Sequence, residues 1–146
     1  MLDMSGSMER VVPNISLAAD WLVSQFKRGD RINVGTFKTD VRYGNIVTAT
    51  NFANRTGVIV YAIGMSRGQT ANELYTLATG TGGSYFYLDR REDFVEAFRQ
   101  VGEEIHAQYI LGFEPADRDK KSLINVRVKT PGLKVRARQT YSPKQK

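Results

Sequence analysis

Residues 57–65 read Gly-Val-Ile-Val-Tyr-Ala-Ile-Gly-Met (GVIVYAIGM), a continuous apolar run closed by glycine. A strand with one wet face alternates apolar and polar residues. An unbroken run of this length marks a strand covered on both faces, as in parallel sheets packed between helices. Downstream, Thr70-Ala71-Asn72-Glu73 has the form of a capping box and predicts a helix that presents Leu74, Leu77 and Ala78. Gly80-Thr81-Gly82-Gly83 stops that helix, and Ser84–Leu88 reads as the next strand. Asp89-Arg90-Arg91-Glu92 opens a further helix, whose Phe94, Phe98, Val101 and Ile105 form one stripe.

Upstream, Met1–Asp3 is the stub of a strand. Ile15, Ala18, Ala19, Leu22 and Phe26 recur at helical spacing, which predicts a helix over about Met8–Lys27, regular from about Asn14 because of Pro13. Ile32, Val34 and Phe37 predict a strand. Val41–Thr48 reads as a second strand, and Asn51–Thr56 as a short polar connection. After Gln108 the pattern changes to three strands, Tyr109–Phe113, Leu123–Lys129 and Leu133–Arg138, with Pro131-Gly132 at the last turn. The expected order is β-α-β-β-β-α-β-α followed by an antiparallel tail. The fold class is α/β, with a body over residues 1–107 and a basic, β-rich C-terminal extension over 108–146 packed on it.

The composition fits one globular domain: 146 residues, 41% hydrophobic and 25% charged. The absence of cysteine excludes disulfides, thiol catalysis and thiolate zinc sites. No apolar run approaches the roughly 18 residues of a membrane helix, and no signal peptide is visible. The net charge of +6 is unevenly placed. After Arg118 there are nine basic residues and one acid, which gives that tail +8 and leaves −2 for the rest.

One string carries the chemistry. Asp3-Met4-Ser5-Gly6-Ser7 places a carboxylate and two hydroxyls at alternating positions, a hard-oxygen corner suited to a divalent cation. The same residues also fit helix capping, with Ser5 or Ser7 as N-cap and Asp3 near the positive end of the helix dipole. Asp40, after the second strand, is a further candidate for the same edge.

LDMSGSM (2–8), GDRINVGTF (29–37), GVIVYAIGM (57–65) and LATGTGGSYF (77–86), in this order, resemble a von Willebrand factor A (vWA) domain. The similarity is nearest to the bacterial VWFA-related, acidobacterial-type group. QYILGFEP (108–115) and RVKTPGLKVRARQTY (127–141) resemble that group's C-terminal extension. The resemblance implies a Rossmann-like, mostly parallel sheet flanked by helices and a non-enzymatic adhesion module. It also implies a metal-ion-dependent adhesion site, to which Asp3, Ser5 and Ser7 correspond. Such a site takes Mg²⁺, or Mn²⁺ or Ca²⁺, and binds a partner protein through an acidic side chain on the metal. The family is often extracytoplasmic. The threonine and second aspartate of the full site have no matching positions here. Only eight residues, Ala49–Thr56, stand where the family carries helices and a central strand. The chain resembles an internally shortened member, in which GVIVYAIGM takes the vacated place beside Met1–Asp3. A smaller sheet then implies marginal stability, or a partner over exposed apolar area.

Other readings stand beside this one. A metal-independent interaction or structural domain needs only the fold. Haloacid-dehalogenase-type phosphatases open with D-x-D after a strand, but Ser5 stands where the second aspartate would move the proton. Gly80–Ser84 follows a helix and opens a strand, the reverse of a phosphate loop. His106 is the only histidine and has no triad or zinc partners. In a hairpin turned at Pro131-Gly132, Arg127, Lys129, Lys134 and Arg136 share one face and call for local acids or an anionic partner. Nucleic acid fits worst, because no aromatic residue interleaves with these charges.

Overall fold

The computed structural model describes residues 2–3, 12–27, 30–37, 46–65, 67–90 and 93–141. The elements are β1 (Leu2–Asp3), α1 (Val12–Ser24), β2 (Thr36–Phe37), α2 (Ile46–Thr56), β3 (Ala62–Gly64), α3 (Gln69–Thr81), β4 (Tyr85–Tyr87), α4 (Phe94–His106), β5 (Ser122–Leu123) and β6 (Thr140–Tyr141). The protein is mixed α/β. β1 to β4 form a four-stranded sheet in the order β2-β1-β3-β4, and every pair in it is parallel.

The placement of GVIVYAIGM follows the sequence reading. β3 lies directly beside β1, with Leu2 in register with Ile63. Successive side chains of a strand point to opposite faces, and both faces of β3 are covered. Ile63 joins Ile15, Ala18 and Leu22 of α1 and Phe94, Ala97, Phe98 and Val101 of α4. Ala62 packs on the other side against Leu74 and Ala78 of α3. Double burial begins only at Ala62, since Val58 is exposed and Ile59, Val60 and Tyr61 are half-buried. In this lead-in, the Val60 N–H donates to Thr81 Oγ1 at 3.0 Å instead of to a neighbouring strand.

Helices cover the sheet on both faces, α1 with α4 on one and α3 on the other, with α2 packed against α3. The general rule of right-handed crossovers accounts for this arrangement. The chain moves one way from β1 to β2 and the other way from β2 through β3 to β4, so α1 and the pair α2, α3 fall on opposite faces.

Two expectations for this half are corrected. Asn51–Thr56 is not a connection, and the predicted strand Val41–Thr48 ends inside a helix: α2 covers Ile46–Thr56, while 38–45 lie outside the described residues. A parallel strand after β2 requires the chain to return to the amino edge of the sheet. The 11 residues of α2 do this in about 16 Å. Packing on α3 overrides the β-branched composition, through buried Ala53 and an Asn54 Nδ2–H to Gly80 O bond of 3.1 Å. The capping box at Thr70 is not used, because Gln69 and Thr70 are already helical and Gly68 is the N-cap. The end of α3 is as expected: Gly82 is left-handed at φ 92°, and the Gly83 N–H reaches Ala78 O at 2.9 Å.

In the extension, β5 and β6 pair antiparallel, Ser122 with Tyr141 and Leu123 with Thr140. Ile124 N–H to Gln139 O, 2.9 Å, continues the pairing inward. That register centres on Pro131-Gly132, where the chain turns and Gly132 has φ 80°. Regular strand is confined to the base of the hairpin, and Tyr109–Phe113 is not a strand. Tyr109, Ile110 and Leu111 are strongly exposed, and Phe113 meets Tyr141 edge-on at 5.9 Å between ring centroids. An apolar, β-prone segment becomes a strand only where a neighbouring backbone accepts its ladder.

Candidate functional site

In an open parallel sheet, ligand crevices form at the carboxyl ends of the strands, where successive connections diverge. Here that point falls between β1 and β3, whose onward connections run to opposite sides of the sheet. Asp3 is the last residue of β1, in register with Phe37 of β2. The carboxylate-bearing residue of the candidate corner thus stands at the carboxyl edge, one strand from Gly64 at the end of β3. Ser5, Ser7 and Asp40 lie outside the described residues. Among the described residues, no group of three or more His, Asp or Glu is arranged to hold a metal ion.

The donor types of Asp3, Ser5 and Ser7 suit a hard cation, since all are oxygens. With one carboxylate among them, water or a partner's oxygens complete the shell of six or more ligands such ions take.

The carboxyl edge beyond β3 and β4 carries a polar cluster that the sequence did not announce. The Arg67 guanidinium donates from Nε to the Tyr87 hydroxyl at 2.5 Å and from Nη2 to Asp89 Oδ1 at 3.2 Å. It also lies 5.3 Å from the centroid of the Tyr87 ring. The Tyr87 hydroxyl, then the Asp89 carboxylate, raise the Arg67 pKa. Arg90 pairs with Asp93 at 3.1 Å just before α4. All of these side chains except Asp93 are well exposed, so the pairs position this rim more than they stabilise it.

The extension meets the opposite, amino edge. Arg138 Nη2–H donates to Gly57 O, just past α2, at 2.5 Å. Its backbone nitrogen lies 3.1 Å from where a Cβ on Gly82, at the end of α3, would stand. Arg136 pairs with Glu104 in the last turn of α4, and Ser84 Oγ–H donates to the same carboxylate at 2.8 Å. Gln108 Nε2–H donates to the Tyr61 hydroxyl at 3.0 Å, and Lys121 Nζ–H to Asn51 Oδ1 at 3.2 Å. Burial raises the Tyr61 pKa, against the lowering effect of the Gln108 bond. Arg138 and Arg136 therefore sit at the carboxyl ends of α2 and α4, where the helix dipole favours positive charge.

The local acids neutralise only part of the basic strip. Glu104 takes Arg136, Glu103 takes Arg99, and Glu114 takes Arg118 at 3.1 Å. Among the described residues, no ion pair forms with Arg127, Lys129 or Lys134. His106 ends α4 and is exposed. Among the described residues, no helix is long and apolar enough to cross a membrane. No protein-family profile, curated protein or solved structure matches the chain.

Proposed function

We propose that the chain is a non-enzymatic protein-binding module of the von Willebrand factor A type, with a partial metal-ion-dependent adhesion site at Asp3, Ser5 and Ser7. The carrying observation is the strand order β2-β1-β3-β4 with Asp3 at the carboxyl end of β1. In this reading the four-strand order is the central portion of a doubly wound sheet, with strands on both sides of the switch point. A Mg²⁺-like ion would supply a coordination position for a partner's carboxylate, while Asp3 anchors it by charge and Ser5 and Ser7 by neutral oxygens.

Titration calorimetry with Mg²⁺ and Mn²⁺ tests this reading. The expected result is saturable heat in the parent that Asp3→Ala abolishes. Heat unchanged in Asp3→Ala, or no heat with either ion, removes the metal site. A metal-independent interaction domain is the second reading, favoured by the exposed Tyr109, Ile110 and Leu111, which present apolar area without a cation.

A further inference from the structure

We propose that the tip of the C-terminal hairpin is a docking site for anionic lipid surfaces. Extrapolated from the base of the hairpin to its turn, the register of β5 and β6 would set Lys129 across from Lys134 and Arg127 across from Arg136. Like charges facing one another are unfavourable unless an anion lies between them. Among the described residues, the body supplies one only for Arg136, through Glu104. Arg127, Lys129 and Lys134 are exposed.

The residues between these cations decide what kind of anion fits. Val128, Leu133 and Val135 alternate with the charges and are 41%, 64% and 42% exposed. The same extrapolation would set Val128 across from Val135, on the face opposite the cations. A soluble polyanion offers the charges a partner but leaves this apolar edge in water. A nucleic acid would call for stacking aromatics, and residues 119–140 contain none. An anionic bilayer takes both halves. Headgroups meet the lysines and arginine, whose long stems allow their charges to reach the surface, while leucine and valine enter the acyl boundary. The turn residues Thr130–Leu133 are all exposed, so the tip is free to approach a flat surface.

This site lies on the extension, whereas Asp3 lies at the carboxyl edge of the sheet, so it is independent of the proposed metal site. Co-sedimentation of the full chain with vesicles of phosphatidylcholine containing about one part in three of phosphatidylglycerol tests it. We expect binding that falls with rising salt and is absent with pure phosphatidylcholine vesicles. Each cation near an anionic surface is worth about fivefold in partitioning. The triple variant Arg127→Gln, Lys129→Gln, Lys134→Gln should then lose roughly a hundredfold, with unchanged far-ultraviolet circular dichroism. Leu133→Ser keeps every charge and should weaken vesicle binding while leaving retention on heparin as it was. Asp3→Ala should bind vesicles as the parent does. Absence of binding to the anionic vesicles overturns the proposal. So does vesicle binding that is indifferent to Leu133→Ser, which would assign the strip to soluble polyanions.

Discussion

Thr81→Val isolates a buried hydroxyl that ties the end of α3 to the lead-in of β3. Thr81 is fully buried, the last residue of α3, and its Oγ1 accepts the Val60 N–H at 3.0 Å. The hydroxyl proton goes to Leu77 O at 3.0 Å or Ala78 O at 2.9 Å. Valine keeps the shape and has a similar helix propensity, so the change removes polarity alone. Ala78 O retains the Gly83 N–H, which leaves the loss concentrated on the Val60 N–H. A fully buried N–H left unpaired costs about 1–3 kcal/mol; the Val60 bond is part-buried, and about 2 kcal/mol at most is expected. At ~2.1 cal/mol/K per residue the chain unfolds with an entropy near 0.3 kcal/mol/K, and Tm falls by up to about 6 °C. Thr81→Ser keeps the hydroxyl and loses one buried methyl, about 0.8 kcal/mol, so its drop is about 3 °C. Thermal melts followed by circular dichroism give the ranking parent, Ser, Val. A valine variant as stable as the parent, or a serine variant as damaged as the valine one, would refute the reasoning.

Gly83→Ala should be worse. Its Cβ would stand 2.1 Å from Val60 O and 2.8 Å from Val60 C, both backbone atoms, so the lead-in to β3 must move. The cost is about 3 kcal/mol in a urea melt, against less than about 0.5 kcal/mol for Gly112→Ala, which has open space. Equal midpoints for the two variants would sink this account. Glu96 is held near a pKa of about 2, chiefly by hydrogen bonds from Arg99 and then Gln100. A depressed carboxylate pKa contributes stability above the unfolded value, and that stability is lost as pH falls through the folded one. Arg99→Gln should thus be less stable than the parent at neutral pH and converge with it near pH 2. The pair is exposed, so the difference should shrink in high salt. A gap that persists in acid would assign the loss to packing.

The body was legible where the pattern was set by burial. The stripes Ile15, Ala18, Leu22 and Phe94, Phe98, Val101 face each other across one core, and the apolar run of β3 enters the sheet beside β1. What failed was local chemistry overruled by tertiary contacts. Ile46, Val47 and Thr48 read as strand, yet they start α2, because Ala53 and Asn54 find partners on α3. Thr50 and Thr56 satisfy their hydroxyls on Ile46 O and Phe52 O within that helix. Thr70 lost its capping role to Gly68, whose φ of 76° suits glycine and nothing bulkier. In the candidate site, Asp3 was foreseen at the end of its strand, and Arg67 with Tyr87 and Asp89 was not. Their spacing of roughly twenty residues forms no local motif; only the β3–β4 register brings them together.

The extension's grip on the amino edge has a kinetic meaning. Arg138 reaches back 81 residues to Gly57, and Lys121 reaches back 70 to Asn51. Closing such loops is entropically slow, and each is secured by a polar contact at the surface instead of by shared core. The sheet and its helices also close long loops, α1 packing on α4 and β1 pairing with β3, but theirs are secured by the shared apolar interior. The hairpin is therefore the part that should attach after the core has formed and detach before it melts. Its amides should exchange with solvent through openings that leave the interior of the body intact.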